Sequence, residues 1–570
     1  MSTLDWLVML TTLLSIVAYG VWKTRKVDNV QSYLLGDRDL PWWTIGLSVM
    51  ATQASAITFL STPGQAYEDG MRFAQFYFGL PIAMVILCVF VLPIYYRLKV
   101  YTAYEYLEGR FDLRTRTLTA VLFLIQRGLA AGLTIYAPAI ILSTILGWPL
   151  RLTILCIGAL VIFYTMLGGT KAVSVTQKQQ MIVILSGMFI AAMILIFQLP
   201  EDVSFGDAVG VAGKMGKLNV VDFEFDLSNR YNFWSGMLGG VFLFLSYFGT
   251  DQSQVQRYLS GKSLTESRLG LLFNGLLKVP MQFLVLFVGV LVFVFFQFQQ
   301  PPIHFNSANL EKLEGTAYES ELEQLQSQHN TLFLTQQQEV EAMMQALETD
   351  NEQAIALSQE RLDELRSTEN ELREATKGLI LKADPAAKVR DTDYVFITFV
   401  TEYLPIGLVG LLLAVIFSAA MSSTASELSA LATTTVVDLY RRSWRTGKDD
   451  RHYLNASKAF TAIWGGIALV FAATANLFEN LIQAVNIVGS LFYGAILGIF
   501  LVAFFMKKIG GRAVFYGALI AEAIVIVIFT LNAYEIIEIA YLWLNLIGCT
   551  LVMMIAWGLE QAGVNGAKSA

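Results

Sequence analysis

The chain has 570 residues, of which 55% are hydrophobic and only 15% are charged, and its mean hydropathy is +0.55. A soluble globular protein rarely has this composition, whereas many apolar runs of roughly 20 residues, each long enough to cross a bilayer, explain it directly. The formal net charge is −7, and no nucleic-acid partner is expected.

The apolar runs predict thirteen membrane-spanning helices. The first run has no basic segment in front of it, so it is predicted to be a span rather than a cleaved signal. The spans lie near residues 4–22, 40–60, 75–97, 117–146, 150–167, 174–198, 234–258, 271–299, 396–438, 454–474, 479–505, 512–531 and 534–558.

The basic connections follow spans one, three, seven, nine and eleven, so they alternate onto one side of the membrane. Lysine and arginine favour the cytoplasmic side, which places the N-terminus outside and the C-terminus inside a plasma membrane, expected to be a bacterial inner membrane. The predicted organisation is spans one to eight in residues 1–300, an extracytoplasmic insertion in 301–395, spans nine to thirteen in 396–560, and a cytoplasmic tail in 561–570.

The insertion carries the acidity of the chain. Residues 311–390 contain 17 acidic and 8 basic side chains, a net of −9, so the remainder has a net charge of +2. Apolar residues recur at helical spacing and predict a helical hairpin or short coiled coil. The hairpin is either a solvated acidic cap or a docking site for a partner protein. The stripe consists of Val340, Met343, Met344, Leu347, Ile355, Leu362, Leu365 and Leu372.

Two spans are interrupted by polar residues. The first is WTIGLSVMATQASAITFLSTPG (43–64), and the second is LGGVFLFLSYFGTDQSQVQRYL (238–259). Each is the first span of a set of five once the opening span is set aside. Broken helices at matching positions mark the binding site of an inverted-repeat transporter, because unwound backbone is tolerated only where it lines a cavity.

Residues 416–423, IFSAAMSS, place three oxygens on one face of span nine. The carbonyl of Ala419 and the hydroxyls of Ser422 and Ser423 stand at i, i+3 and i+4. Sodium is a hard cation that binds oxygen, and carbonyls freed by a break near Ala51–Ala54 supply two more ligands. The pattern predicts a sodium site between spans two and nine. The alternative is that the serines bond to their own helix or help the spans to pack.

Six stretches, in order and at family-like spacing, resemble the sodium/solute symporter family. The resemblance covers nearly the whole chain except 301–395, and it is closest to the iodide, monocarboxylate and multivitamin branch. The stretches are Ser55-Ala56-x-Thr58-Phe59, YEYLEGRF (104–111), IYAPAIIL (135–142), FYTMLGGTKAV (163–173), TDQSQVQRYL (250–259) and AAMSS…VVDLY (419–440).

The resemblance implies an all-α, leucine-transporter-like five-plus-five inverted repeat with an extra leading helix. It also implies that the main sodium site, the coupling-ion site, maps onto Ala51, Ala54, Ala419, Ser422 and Ser423. Many relatives carry an aspartate after the glycine-glycine turn that helps to release sodium or builds a second site. Gln177 stands at that position here, so one sodium ion per solute is expected.

The implied activity is sodium-coupled symport of a small organic solute by alternating access. Arg127 lies inside span four, where it either extends to the membrane interface, pairs with a neighbouring acid or binds the solute. Asp251 likewise either contacts the solute or pairs with Arg127 or Lys278. A guanidinium in span four suits a solute carboxylate, as in the sialic acid relatives. A monocarboxylate or an acidic sugar is therefore expected, with a neutral sugar or polyol as the alternative. The predicted solute-binding residues are Ser55, Thr58, Gln75, Arg127, Asp251 and Lys278, and Phe78 or Tyr247 is a candidate to close the pocket.

Two other classes of function receive less support from the sequence. A membrane enzyme needs a convergent catalytic set, and the sequence contains no paired acidic motif, metal cluster or nucleophile elbow. A transporter-like solute sensor is a further alternative, although such proteins usually append a signalling domain. The expected partners are thus a small solute, sodium and the lipid bilayer.

Overall fold

The protein is described by a computed structural model that covers residues 1–23, 29–385, 387–474 and 481–564. Within these ranges the chain is helical and forms no strand beyond a single bridge between Leu40 and Gly261. The helices as far as the insertion are α1 (Thr3–Lys23), α2 (Val30–Leu35), α3 (Trp42–Gln53), α4 (Ala56–Asp69), α5 (Gly79–Ile86), α6 (Leu92–Leu98), α7 (Glu105–Arg110), α8 (Leu113–Leu146), α9 (Leu150–Phe197), α10 (Phe205–Lys214), α11 (Gly240–Gly249), α12 (Gln252–Leu259) and α13 (Leu264–Phe298).

The insertion and the C-terminal part continue the helical architecture. Short 3-10 turns cover Gly70–Tyr77 and Thr392–Tyr394, and π-helical turns cover Leu87–Val91, Ser235–Gly239 and Thr435–Trp444. The remaining helices are α14 (Ser307–Glu311), α15 (Glu319–Glu348), α16 (Glu352–Ala383), α17 (Val395–Tyr403), α18 (Leu408–Thr434), α19 (Asp450–Thr474), α20 (Leu481–Phe505), α21 (Gly511–Ala533) and α22 (Trp543–Gln561).

Ten helical segments in the described ranges are long and apolar enough to cross a membrane, and Leu150–Met166 and Ser235–Gly249 are two shorter apolar helices. The prediction of an all-α polytopic membrane protein is confirmed, while the count of thirteen spans stays a prediction. The first residues of predicted span eleven, most of the first basic connection and most of the predicted tail lie outside the described residues.

Two predicted span boundaries are wrong. Predicted span nine (396–438) is two helices, α17 and α18, because Gly407 adopts a left-handed φ of 92° between them. The separate spans predicted at 150–167 and 174–198 agree with the structure, because the backbone of Gly169 is not helical (φ 56°, ψ −162°) and divides α9 into two segments. The last span begins at Trp543 rather than at residue 534, since residues 534–542 are not helical.

Both predicted helix breaks are present. Ala54 and Ser55 separate α3 from α4 with non-helical ψ values of 76° and 171°. Thr250 and Asp251 separate α11 from α12, and the carboxylate of Asp251 caps α12 by accepting a hydrogen bond of 2.9 Å from the backbone N–H of Ser253. Each break therefore leaves backbone groups free in the interior of the bundle.

The two broken helices lie against long continuous helices. α18 packs against α8 and α9 and touches both α3 and α4, while α13 runs along the other side of α3 and α4. Helix α20 lies beside α8, α11 and α22. The breaks consequently face α8, α18 and α20, and this arrangement positions the candidate site.

The insertion forms the predicted helical hairpin. α15 and α16 pack against one another and are joined by only three residues, so they run antiparallel. Val340, Met343 and Leu362 are buried in their interface, together with Val211 of the neighbouring α10. The predicted apolar stripe is thus the packing surface of the hairpin.

Cationic side chains hold the end of α4 that lies next to the hairpin. The ammonium of Lys217 donates to the carbonyl oxygens of Tyr67 and Glu68, each at 2.6 Å, and Arg366 of α16 donates to the carbonyl of Glu68 at 3.0 Å. Positive charge at a helix C-terminus is favourable because the last carbonyls lack partners within the helix. Burial, with the nearby charge of Arg366, lowers the pKa of Lys217 to about 7.

This pKa predicts a pH-dependent stability. Between pH ~7 and ~10 the unfolded chain binds more protons at Lys217 than the folded protein, so the contribution of Lys217 to stability rises with pH in that window. We expect the unfolding temperature of Lys217→Met to rise less than that of the parent protein over the same window, measured by thermal unfolding in detergent. Lys382→Met, which removes an exposed lysine of the hairpin, is the control and should keep the parent slope. Equal slopes for Lys217→Met and the parent would contradict the assignment.

Candidate functional site

A cavity of about 90 Å³ lies beside the break between α3 and α4. Its wall is formed by the broken pair α3 and α4, by the long helices α8 and α18, and by parts of α11 and α20. Its polar lining residues are Thr52, Gln53, Ser55, Thr58, Tyr77, Arg127, Thr134, Tyr247, Ser423, Glu427, Asn486 and Tyr493. Of the predicted solute-binding residues, the structure therefore brings together Ser55, Thr58 and Arg127, with Tyr247 beside them.

The oxygens predicted to bind sodium meet across α3 and α18. The hydroxyl of Ser422 donates to the carbonyl oxygen of Ala51 at 3.1 Å, and both residues are buried. The neighbouring hydroxyl of Ser423 is also buried and has no hydrogen-bond partner. An orphaned hydroxyl beside a carbonyl released by a helix break fits a cation ligand set, because a buried polar atom needs a partner.

The other two predicted sodium ligands, Ala419 and Ala54, are also buried near the break. Ala419 is buried on α18 one turn before Ser423, and Ala54 is the first residue of the break and is also fully buried. The backbone N–H of Ala54 still bonds to the carbonyl of Met50 at 2.8 Å, so α3 remains helical up to the break. The assignment of Ala51, Ala54, Ala419, Ser422 and Ser423 as ligands stays a prediction.

Gln177 on α9 lies next to this group of oxygens. Its amide nitrogen donates to the hydroxyls of Thr52 (3.0 Å) and Ser426 (2.8 Å) and to the carbonyl of Ser422 (3.3 Å). Its amide oxygen accepts a hydrogen bond from Ser48. The N–H groups of the Gln177 side chain therefore already engage the oxygens of Thr52, Ser422 and Ser426. The Gln177 side chain is neutral, so it brings no negative charge to this group of oxygens.

Arg127 is paired with two carboxylates. Its guanidinium donates to Asp251 and, at 3.0 Å, to Glu427, and all three side chains are buried. It also donates to the hydroxyl of Tyr493 and lies 5.4 Å from the ring centroid of Tyr247. The structure does not support a guanidinium that is free to bind a solute carboxylate, because both of its terminal nitrogens already bind acids.

Asp251 is committed to this pairing and does not line the cavity. Besides Arg127 it accepts from the hydroxyl of Tyr493 at 2.9 Å and from the hydroxyl of Ser253 at 2.7 Å. Its carboxylate thus joins the second helix break to α8 and α20. This places Asp251 as an internal anchor rather than as a direct solute contact.

Gln75 and Lys278 also lie away from the cavity wall. The amide of Gln75 donates to the carbonyl of Tyr231 at 2.8 Å and accepts from the N–H of Asp222 at 2.9 Å, so it secures the segment before α11. The ammonium of Lys278 is fully buried, lacks a hydrogen-bond partner and lies 5.7 Å from the ring centroid of Tyr77. Tyr77 rather than Phe78 faces the cavity and separates Lys278 from it.

Sequence reasoning missed Glu427, Thr134 and Tyr493. The Glu427 carboxylate accepts from the hydroxyl of Thr134 at 2.7 Å as well as from Arg127. An acidic residue within an apolar span is as costly as an arginine there, so the argument that selected Arg127 applies equally to Glu427. Thr134 and Tyr493 carried no comparable signal, because hydroxyls are common in membrane helices.

A profile of the sodium:solute symporter family matches residues 33–307 and 380–524. The chain therefore belongs to the sodium:solute symporter family, a family of transporters rather than of enzymes. The unmatched stretch between the two ranges contains most of the hairpin, α15 and α16.

Curated relatives agree with this membership. The human "Sodium/iodide cotransporter" is 32% identical over 47% of this chain and 41% of its own length. The mouse "Sodium-coupled monocarboxylate transporter 2" is 32% identical over 44% of this chain and 40% of its own length. The match thus spans less than half of either relative. A "Putative sodium-dependent multivitamin transporter" of Drosophila melanogaster is 25% identical over 91% of this chain and 73% of its own length.

A solved structure has the same fold. It is described as the "Substrate-bound outward-open state of a Na+-coupled sialic acid symporter", and it aligns with a TM-score of 0.75 and 20% identity over 98% of both chains. The predicted fold class, an inverted-repeat transporter bundle, is confirmed by this likeness.

The buried charges predict how the site responds to mutation. Arg127→Met leaves Asp251 and Glu427 buried without a cation, which we expect to lower the free energy of unfolding by about 3–5 kcal/mol. The triple variant Arg127→Met, Asp251→Asn, Glu427→Gln removes all three charges and should recover most of that loss. Thermal unfolding in detergent measures both, and a single variant as stable as the parent would show that the three charges are not coupled.

Proposed function

We propose that the protein is a sodium-coupled symporter that carries a small organic solute, preferentially a monocarboxylate, together with one sodium ion. The observation that carries the proposal is the 3.1 Å contact between the Ala51 carbonyl and the Ser422 hydroxyl, beside the unpartnered hydroxyl of Ser423. Family membership supports the coupling to sodium.

The oxygens of this group suit a sodium ion as cargo. They belong to one broken helix and one continuous helix, so an ion held by both joins α3 to α18. Unwound backbone carbonyls coordinate the coupling ion in transporters of this architecture. The ligands are carbonyls and hydroxyls, all of them neutral, which is sufficient for a monovalent cation.

The environment of Gln177 supports a single ion. Its amide N–H groups occupy the oxygens of Thr52, Ser422 and Ser426, and these donors repel a second cation placed among them. One ion still provides substantial driving force. A unit charge moving down ~100 mV releases about 2.3 kcal/mol, and a tenfold concentration gradient adds about 1.4 kcal/mol.

The wall of the central cavity offers donors to a carboxylate at the start of α4. Ser55 occupies the N-cap position without a capping bond from its side chain, and Thr58 lies one turn further, with both residues lining the cavity. A helix N-terminus attracts anions through its free N–H groups, and a sodium ion near Ala51 adds positive charge to the same end. Half-helix N-termini bind anionic solute groups in related architectures.

A second cavity, of about 500 Å³, supports an anionic solute. It lies on the side of the insertion, and four cationic residues line it against the two acids Glu68 and Asp69. An excess of positive charge in a recess raises the local concentration of anions. Gln483 lines this recess, and its neighbour Ile482 lines the central cavity, so the two are adjacent. The cations are Arg72, Lys217, Arg230 and Arg366.

The size of the central cavity favours a monocarboxylate over an acidic sugar such as sialic acid. A volume of about 90 Å³ is well below the 300–1,000 Å³ of pockets that hold drug-sized ligands. Relatives named as monocarboxylate transporters support the same choice. Lys278, whose ammonium has no hydrogen-bond partner, lies over the ring of Tyr77, a residue that lines the cavity.

A neutral sugar or polyol is the second candidate solute. The two carboxylates around Arg127 leave that cluster with one more negative than positive charge, which disfavours an anion in direct contact with it. The many hydroxyls of the wall suit a polyol equally well. The choice between the two candidates therefore depends on uptake experiments.

Sodium binding and solute binding are coupled because both use the break between α3 and α4. Sodium binding orders Ala51–Ala54 and thereby fixes the N-terminus of α4, where Ser55 and Thr58 contact the solute. By linkage, the solute must tighten sodium binding by the same factor. Occlusion and rocking of one repeat against the other then move both ligands across the membrane. The side on which the basic connections lie supports a topology with the hairpin and the N-terminus outside and the C-terminus in the cytoplasm.

Removal of either serine hydroxyl tests the sodium site. Ser422→Ala and Ser423→Ala should each weaken the sodium dependence of uptake by about tenfold or more, because one oxygen ligand is lost. Ser429→Ala, two turns further along α18 and bonded to Thr170, is the matched control and should keep the parent sodium dependence. Unchanged dependence in both site variants would overturn the assignment.

The order of the reaction in sodium tests the stoichiometry. Initial rates of uptake into proteoliposomes, measured against external sodium, should give a Hill coefficient near one, because Gln177 closes the second position. A coefficient near two would contradict the single-ion proposal.

Solute specificity is tested by uptake of radiolabelled lactate, sialic acid and glucose into the same vesicles under an inward sodium gradient. We expect lactate uptake to dominate, and we expect Thr58→Val to reduce it because a hydroxyl donor at the start of α4 is lost. Sodium-driven glucose uptake without lactate uptake would favour the polyol alternative. Uptake that ignores the sodium gradient would overturn symport itself.

A further inference from the structure

Arg257 is the most completely buried cation that the proposed mechanism does not use. It lies on α12, its side chain is wholly inaccessible, and it ranks first by volume among the fully buried side chains. Its Nη1 donates to the hydroxyl of Ser174 at 3.2 Å and to the carbonyl of Thr170 at 3.5 Å. Its Nε and Nη2 groups have no acceptor.

No carboxylate compensates this charge. Across the described part of the chain, Arg257 forms no ion pair, whereas the buried guanidinium groups of Arg116 and Arg127 each pair with two acids. The acceptors that Arg257 reaches, the Thr170 carbonyl and the Ser174 hydroxyl, are neutral, and the Tyr164 hydroxyl is engaged with Thr176. An unpaired charge buried among helices is strongly unfavourable, so a counter-ion is required.

A short chain of polar side chains links Arg257 to the sodium ligands. Ser174 lies 3.4 Å from the hydroxyl of Ser48, Ser48 donates to the amide oxygen of Gln177, and Gln177 donates to the carbonyl of Ser422. Only three side chains therefore separate the guanidinium from a proposed sodium ligand, and all three are uncharged. A positive charge at this distance disfavours sodium unless an anion neutralises it.

We propose that Arg257 binds a small monovalent anion, chloride under ordinary conditions, through its free N–H groups and the Ser174 hydroxyl, and that this anion strengthens sodium binding. Complete burial favours a halide over a larger oxyanion. The anion is a resident counter-ion and not the transported solute, although the effect on sodium rests on the proposed function. By reciprocity, sodium strengthens chloride binding by the same factor.

Two measurements on the purified full chain separate the anion site from its coupling. The first compares thermal unfolding in N-methylglucamine chloride and N-methylglucamine gluconate without sodium or solute, and chloride should raise the unfolding temperature. The second titrates sodium in the two anions, and we expect affinity for sodium to be about tenfold higher in chloride. Failure of sodium to bind in either anion, with the chloride shift intact, would reject the proposed function but keep the anion site.

Variants of Ser174 test the location. Ser174→Asp places a fixed carboxylate beside Arg257, so both chloride effects should disappear while sodium affinity stays high in gluconate. Ser174→Asn, of the same size as Asp without the charge, is the matched control: it also removes the hydroxyl but supplies no counter-charge, so sodium affinity should stay low in gluconate. Arg257→Gln should also abolish both chloride effects, and the Ser174 pair keeps the test decisive if that variant fails to fold.

The proposal is overturned if chloride changes neither the unfolding temperature nor the affinity for sodium of the parent protein, which would mean that water alone solvates Arg257. A chloride effect that survives in Ser174→Asp would likewise place the anion elsewhere. An effect of lactate, but not of chloride, in the sodium-free unfolding assay would assign the guanidinium to the solute carboxylate instead.

Discussion

The architecture depends on one interruption in the backbone, where Ala54 and Ser55 leave the helical conformation inside the bundle. The interruption releases the carbonyl of Ala51 toward Ser422 of α18, and it creates the N-terminus of α4 at the cavity. Unpaired backbone groups at membrane depth are costly unless they line a polar site. In the proposed function, the same two residues therefore create the ion ligands on one side and the solute donors on the other, which would couple binding of one to binding of the other.

Much of this could be predicted from the sequence. Polar residues inside apolar spans located both breaks, and the spacing of Ala419, Ser422 and Ser423 indicated oxygens on one face, because each signal is local. The sequence left open whether Arg127 pairs with an acid such as Asp251 or binds the solute, and it did not indicate the second partner, Glu427. The two acids lie 124 and 300 positions away from Arg127, and only tertiary packing brings them together. The partners of Gln75 could not be predicted for a similar reason, since its amide is engaged by the distant residues Tyr231 and Asp222.

The buried charges of the bundle fall into two groups. Arg127 is held by Asp251 and Glu427, and it ties the broken helix α11/α12 to α8, α18 and α20. Lys278 and Arg257 have no acidic partner among the described residues. Paired charges give rigidity, whereas unpaired ones create a demand for a ligand. The candidate anion sites are thus the places where the chain carries charge that its own carboxylates do not balance.

The contacts that Lys217 and Arg366 make with the end of α4 connect the hairpin to the half-helix that begins at the central cavity. Arg366 of α16 and Lys217 both donate hydrogen bonds to the last carbonyls of α4. The first turn of the same helix lines the cavity. α4 is a single helix of 14 residues, so a tilt at its end beside the hairpin also moves its first turn. A fluorescent dye or an antibody fragment attached to the hairpin would therefore report, or restrain, any tilt of α4 without contacting the central cavity.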